Sequence, residues 1–221
     1  ICNIEFNEVN FDLLRQYLLE NDEKRWPNLR RLTNLASVTT SSEKEYENLE
    51  PWIQWVSVHT GKTAKEHGVY RLGDISQNTD LQIFEWAEQN GKSVGNISAM
   101  NASNRLKSPK YFIPDPWTRT ETDGSLFSKG IYNALHQSVN DNSSGRLKIT
   151  TVFILLLALV FRTKISNWFS YMSLAFGGLR GQKWKKALFL DLLLSDLHNK
   201  FAGASKPDFT SIFLNGLAHI Q

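Results

Sequence analysis

The run Phe209-Thr210-Ser211-Ile212-Phe213-Leu214 decides the fold. It is apolar, carries the β-branched Thr210 and Ile212, and follows the helix-breaking Pro207, so it reads as a central strand. Two further segments read as strands: Ile1-Cys2-Asn3-Ile4-Glu5-Phe6, already extended at its first residue, and Ser93-Val94-Gly95-Asn96-Ile97-Ser98. Helical patterns fill the intervals between them. Strand-helix-strand order implies an α/β fold with a mostly parallel central sheet flanked by helices.

Working outward from the strands, Phe11, Leu14, Tyr17 and Leu18 recur at helical spacing and predict a helix over Phe11–Glu20. Pro27 opens a short helix within Trp26–Leu32, and Pro51 opens another that stops at Gly61, since proline costs no hydrogen bond in a first turn. Ser37–Thr40 reads as a short strand and the polar Ser41–Asn48 as a surface loop. Asp80–Gln89 is predicted helical, capped by Thr79 or Asp80 and stopped by Gly91. Asn101–Asp123 contains Pro109, Pro114 and Pro116 and reads as a long irregular loop. Helices are expected at 125–139, 149–166 and 183–200, the last broken by Gly203 and Pro207.

The composition is that of a globular chain: 41% hydrophobic and 21% charged over 221 residues. That length accommodates one α/β domain spanning 1–221. Twenty-five basic against 22 acidic side chains leave a net charge of +3, too balanced to indicate a nucleic-acid partner. The single cysteine, Cys2, excludes an internal disulfide framework and favours a reducing, cytoplasmic setting. The chain opens on Ile1 in mid-strand and closes on Gln221 without a cap, so we expect the N-terminal part of a larger domain.

Val152–Phe161 (VFILLLALVF) is the most apolar stretch. Its ten residues are about half a membrane span, so no transmembrane span is expected. It reads as a buried helix, with interfacial contact as the alternative. Gly177-Gly178-Leu179-Arg180-Gly181 reads as a flexible connection rather than a phosphate loop, because no strand precedes it. Lys183, Lys185 and Lys186 around Trp184 read as a solvated helix face before a basic patch. Three glycosylation tripeptides, at Asn96, Asn101 and Asn142, carry no weight without a sign of secretion. Of five histidines, His136 and His198 fall inside predicted helices, whereas His67 and His219 follow core elements near a sheet edge, where parallel sheets bind ligands.

Trp55-x-Ser57-x-x-Thr60-Gly61 followed by His67-Gly68 resembles the W-x-S-x-x-T-G-x-x-P-x-x-H-G segment of the alkaline phosphatase superfamily, in its type I phosphodiesterase/nucleotide pyrophosphatase branch. The first strand with Phe11-Asp12-Leu13-Leu14, then Pro27-Asn28-Leu29-x-x-Leu32, and finally Pro207-Asp208 leading to His219 follow the family's order. The resemblance implies an alkaline-phosphatase-like fold and metal-dependent hydrolysis or transfer of phosphate or sulfate esters, small or on a glycan. It also implies a divalent metal, zinc first and manganese second, polarising the ester oxygens.

The sequence departs from that pattern at defined places. Asn7 stands where the first metal-binding Asp belongs, with Glu5 and Glu8 nearby. The nucleophile position falls at Pro51 beside Glu50, and no Ser or Thr lies between Glu43 and Val56. Ala218 stands where the last strand's Asp belongs, leaving His219 as its neighbour. The candidate metal ligands are therefore Asn7, Glu50 and His219. Glu50 has a second reading as a carboxylate favoured at a helix start. Ser57 and Thr60 have one as small residues that let a helix pack closely, with Gly61 as C-cap. A catalytically silent relative binding a glycan, nucleotide or protein in the same cleft is the alternative function, and an unrelated α/β interaction domain the third.

Overall fold

The structure, a computed structural model, describes residues 1–22, 24–140 and 148–219. The third glycosylation tripeptide, at Asn142, lies outside the described residues. A four-stranded, all-parallel sheet runs through its centre, built from β1 (Cys2–Phe6), β2 (Val94–Ile97), β3 (Tyr111–Ile113) and β4 (Phe209–Leu214). The order is β1-β4-β2-β3, so the run expected to be central lies between two others. Cys2 pairs with Thr210 on one side of β4, and Val94 pairs with Phe209 on the other.

The pleat of β4 explains the layering. Alternate side chains of a strand point to opposite faces. Phe209 joins Phe84, Ala87 and Val94 in one apolar cluster, while Ile212 joins Ile97, Ile113, Ile131 and Leu193 in the other. The helices are α1 (Phe11–Glu20), α2 (Pro27–Thr33), α3 (Pro51–Thr60), α4 (Ala64–His67), α5 (Ile83–Gln89), α6 (Leu126–Asn140), α7 (Ile149–Arg162), α8 (Trp168–Leu179) and α9 (Lys183–Ser205). Helices α3 and α5 cover the Phe209 face, and helices α6, α7, α8 and α9 build the layer over the Ile212 face. The sheet is thus flanked by helices on both faces, as its order along the chain requires.

Helix starts follow local chemistry. Asn10 caps α1 by accepting from the Asp12 and Leu13 amides at 3.1 and 3.0 Å. Pro27 and Pro51 occupy first-turn positions of α2 and α3, as expected. The expected helix over Asp80–Gln89 begins later, at Ile83, because Gln82 and Glu85 form a reciprocal capping box there. Asp80 instead pairs with Lys62.

Five other expectations are corrected, the first by α9, which runs through Gly203 to Ser205 instead of breaking there. Ser37–Thr40 is not a strand, and Val38 is 90% exposed. The proline-rich Asn101–Asp123 segment contributes β3, an edge strand of three residues. The helix expected to run to 166 ends at Arg162, and α8 follows it, absorbing Gly177 and Gly178. Asp196 of α9 fixes the intervening turn, accepting from the Lys164 amide (3.1 Å), Asn167 Nδ2 (2.9 Å) and Tyr171 OH (3.0 Å). Finally, Val152–Phe161 is helical but only half covered: Ala158 is fully buried while Phe153 and Phe161 are 61% and 67% exposed. No helix among the described residues is long and apolar enough to cross a membrane.

Candidate functional site

Strand β1 and the residue after it carry Asn3, Glu5 and Asn7 on one side, and α3 packs across that side. Its His59 meets Glu5, with Nε2 3.2 Å from Oε1, and Trp55, one turn earlier, directs Nε1 toward Asn7 Oδ1 at 3.5 Å. The spacing fixes direction: α3 starts at the carboxyl edge of the sheet and runs toward the amino edge. Asn101, in the loop after β2, clamps that start by donating from Nδ2 to the Trp52 carbonyl at 2.9 Å. Glu50, which precedes Pro51, is thereby delivered to the carboxyl edge, where parallel sheets place ligands.

At the same edge, β1 and β4 end side by side. Asn7 Nδ2 donates to Asn215 Oδ1 at 2.9 Å, and the Asn7 amide donates to the Leu214 carbonyl at 3.1 Å. With its carbonyl engaged, Asn215 turns its Nδ2 toward His219 Nε2 at 3.4 Å. A donor there assigns the lone pair of His219 to Nε2 and its proton to Nδ1. Asn7 and His219 are thus joined through Asn215. Glu50 reaches the edge but not this chain of bonds: it is exposed, and its side chain does not cap α3.

Two residues of this site carried no motif. Asn215 links the two expected ligands, and its only sequence signal is its place directly after a strand. Asp191 comes from α9 and accepts the Asn215 and Gly216 amides at 3.1 and 2.6 Å. Burial raises its pKa, opposed by those two N–H donors and by His219. A Cβ on Gly216 would lie 2.6 Å from Asp191 Oδ2, so glycine is required for this approach. Ala218 occupies the 3-10 turn with His219 and brings no ligand.

Backbone strain concentrates on the same edge. Glu8, Ser98 and Asn101 hold left-handed φ values of 57°, 62° and 51°, directly after β1 and in the loop after β2. Such conformations cost non-glycine residues energy and persist where the surroundings enforce them.

The Ser57–His67 pair does different work. The Val69 amide donates to His67 Nδ1 at 3.0 Å, so Nε2 holds the proton and donates to Ser57 Oγ at 3.1 Å. A histidine that donates cannot take the serine proton, so this pair does not make a nucleophile. Thr60 donates back to the Val56 carbonyl at 2.7 Å, and Gly61 closes α3 at φ 69°. These motif residues shape the end of α3.

Burial lowers the pKa of both His67 and His198, so each is neutral in the folded chain. The unfolded chain takes up protons on them below about pH 6.5. Their contribution to stability is therefore complete above that value and declines as pH falls from it through the depressed folded values. We expect the melting temperature to drop between pH 7.5 and 5.5, and the drop to shrink in His67→Gln and His198→Gln variants. An unchanged drop in both variants would assign it to other groups.

No protein family, curated protein or solved structure matches this chain.

Proposed function

We propose that this chain is an alkaline-phosphatase-superfamily-like hydrolase or transferase acting on a phosphate or sulfate ester at the carboxyl edge between β1 and β4. One observation carries the reading: Asn7, Asn215, His219 and the N-terminal end of α3 converge on that edge of a parallel sheet. A helix start presents the positive end of its dipole and favours an anionic ligand. His219 Nε2 accepts from Asn215, which orients the ring and leaves Nδ1–H to donate to an ester oxygen.

The donor set limits the metal. Asn7, Asn215 and His219 supply no carboxylate, and no group of three His, Cys, Asp or Glu able to hold a metal occurs among the described residues. Zinc or manganese needs more anionic oxygen than these residues supply, so they do not fit a two-metal centre by themselves. Their own roles are to bind the ester, to align it on the helix end, and to present a proton donor at His219 Nδ1. Asn7 in place of a carboxylate is the observation that favours the second reading, a silent relative that binds a glycan, nucleotide or protein in the same cleft.

Turnover of p-nitrophenyl phosphate, bis(p-nitrophenyl) phosphate and p-nitrophenyl sulfate, with zinc or manganese added, tests the first reading. We expect release of nitrophenol that falls about 10- to 100-fold in Asn215→Ala and His219→Ala and responds little to either metal. Absence of turnover together with calorimetric binding of p-nitrophenyl phosphate that is lost in the same variants would assign the silent role. Absence of both would overturn the site.

A further inference from the structure

Helices α7 and α8 turn one side inward and leave an apolar side in solvent. On α7, Ala158 is buried and Ile154, Leu155 and Leu159 pack on the core, while Phe153, Leu156, Val160 and Phe161 project outward. On α8, Tyr171 and Gly177 face inward, while Phe169, Met172, Phe176 and Leu179 stand out at 83%, 69%, 59% and 85% exposure. The outward residues recur every three or four positions, so they form stripes on two consecutive helices rather than scattered surface contacts. Asp196 fixes the turn between the helices through three hydrogen bonds. The stripes are held outward.

Charge says what covers them. Between residues 148 and 190 there are seven Lys or Arg and no Asp or Glu, in a chain that has 22 acidic residues elsewhere. The exposed cations sit at helix ends: Lys148 before α7, Lys164 in the turn, and Arg180, Lys183 and Lys186 where α8 gives way to α9. Trp168 and Trp184, both partly exposed, lie at the same ends. Apolar helix faces bordered by cations and tryptophan are suited to the boundary between headgroups and acyl chains. A second copy would bring the same uncompensated cations against one another. The 14 residues of α7 rise only about 21 Å, less than the roughly 30 Å hydrocarbon core, so the helix can lie in the surface but not cross it.

We propose that the α7–α8 face docks in the plane of an anionic phospholipid surface, with its apolar stripes at the acyl boundary and its cations among the headgroups. This rests on a different face from the ester site and stands or falls without it. Flotation of the chain with vesicles of phosphatidylcholine alone, or mixed with phosphatidylglycerol, tests the idea. We expect binding to the mixed vesicles, weakened by salt and by about fivefold for each cation removed in Lys183→Gln and Lys186→Gln. A Phe153→Ser, Leu156→Ser, Phe169→Ser, Met172→Ser variant should lose about tenfold per side chain. The lysine variants leave the apolar stripes intact, so they decide the matter even if the serine variant unfolds. A chain that stays in solution with phosphatidylglycerol vesicles, or binds both vesicle types equally, overturns the proposal. So does a dimer in light scattering that the serine substitutions dissolve, which would assign the face to a second copy.

Discussion

Asp115→Ala is expected to destabilise the fold by about 4 kcal/mol, since each orphaned buried N–H costs about 1–3 kcal/mol. Asp115 follows β3 and is completely buried. Its Oδ1 accepts the Trp117 and Thr118 amides at 2.7 and 2.9 Å, and its Oδ2 accepts the Asn101 amide at 2.9 Å. Burial pushes its pKa up while these donors act in the opposite sense. Alanine removes three acceptor bonds at once at a fully buried position. The Asp115→Asn variant keeps one acceptor oxygen, and about half the loss is expected. Urea unfolding reads both values; a loss under about 1 kcal/mol in the alanine variant would mean that water satisfies the freed amides. The effect reaches the candidate site through Asn101. Released from Asp115, its strained backbone no longer fixes the clamp on the Trp52 carbonyl. The start of α3 then loses its register at the sheet edge, and ester binding or turnover should decline beyond what the lost stability explains.

The parts of the fold that could be read from sequence are those specified locally. Phe209–Leu214, Ile1–Phe6 and Ser93–Ser98 are short runs with β-branched or aromatic residues, and the structure joins them in one parallel sheet. Strand β3 has three residues between Pro109 and Pro114, too few to show a period, and exists because β2 offers an edge to pair with. Helix α8 was hidden by its glycines, which look like a hinge. A Cβ at Gly177 would run into the Lys185 stem, and one at Gly178 would lie 3.1 Å from Lys186 Cγ. These glycines bring α8 close to α9. The run Val152–Phe161 announced a helix correctly, but apolarity does not state how many neighbours a helix has. With the core on one side only, half of α7 stays uncovered.

The site divides in the same way. That Asn7 and His219 come to one edge was legible because each follows a strand of a parallel sheet. Asp191 was not, since it reaches Asn215 across a tertiary contact from the middle of a long helix. Ser57 and His67 were legible as a motif, but the direction of their hydrogen bond is set by the Val69 amide, which no spacing rule reports. Whether a hydroxyl is activated depends on such third partners, and these belong to the fold rather than to the motif.

Glu5→Ala is expected to cost about 3–5 kcal/mol, the range for breaking a buried polar pair by removing one partner. Glu5 and His59 side chains are each 1% exposed between β1 and α3. Glu5 Oε1 accepts from Asn3 Nδ2 at 2.8 Å, Ser211 Oγ at 2.7 Å and His59 Nε2 at 3.2 Å. Alanine would strand the Ser211 and His59 donors, while Asn3 Nδ2 keeps its bond to Ser211 Oγ at 3.2 Å. The network is nevertheless incomplete, for Glu5 Oε2 and His59 Nδ1 have no partner among the described residues. A half-satisfied polar network is worse than an apolar core of the same shape. Glu5→Met combined with His59→Leu should therefore recover most of the stability lost in either alanine variant. A double-mutant cycle measures the coupling, and strictly additive losses would show that the two side chains act separately. The functional consequence separates stability from position. Glu5 lies two residues before Asn7 on one side of β1, and His59 lies one turn after Trp55 on α3. The polar pair thus sets how far α3 slides along the strand, and an apolar pair does not specify that register. In the Met/Leu variant the fold should regain its unfolding midpoint while Trp55 drifts from Asn7, so ester binding at His219 should remain weak in a chain that is again stable.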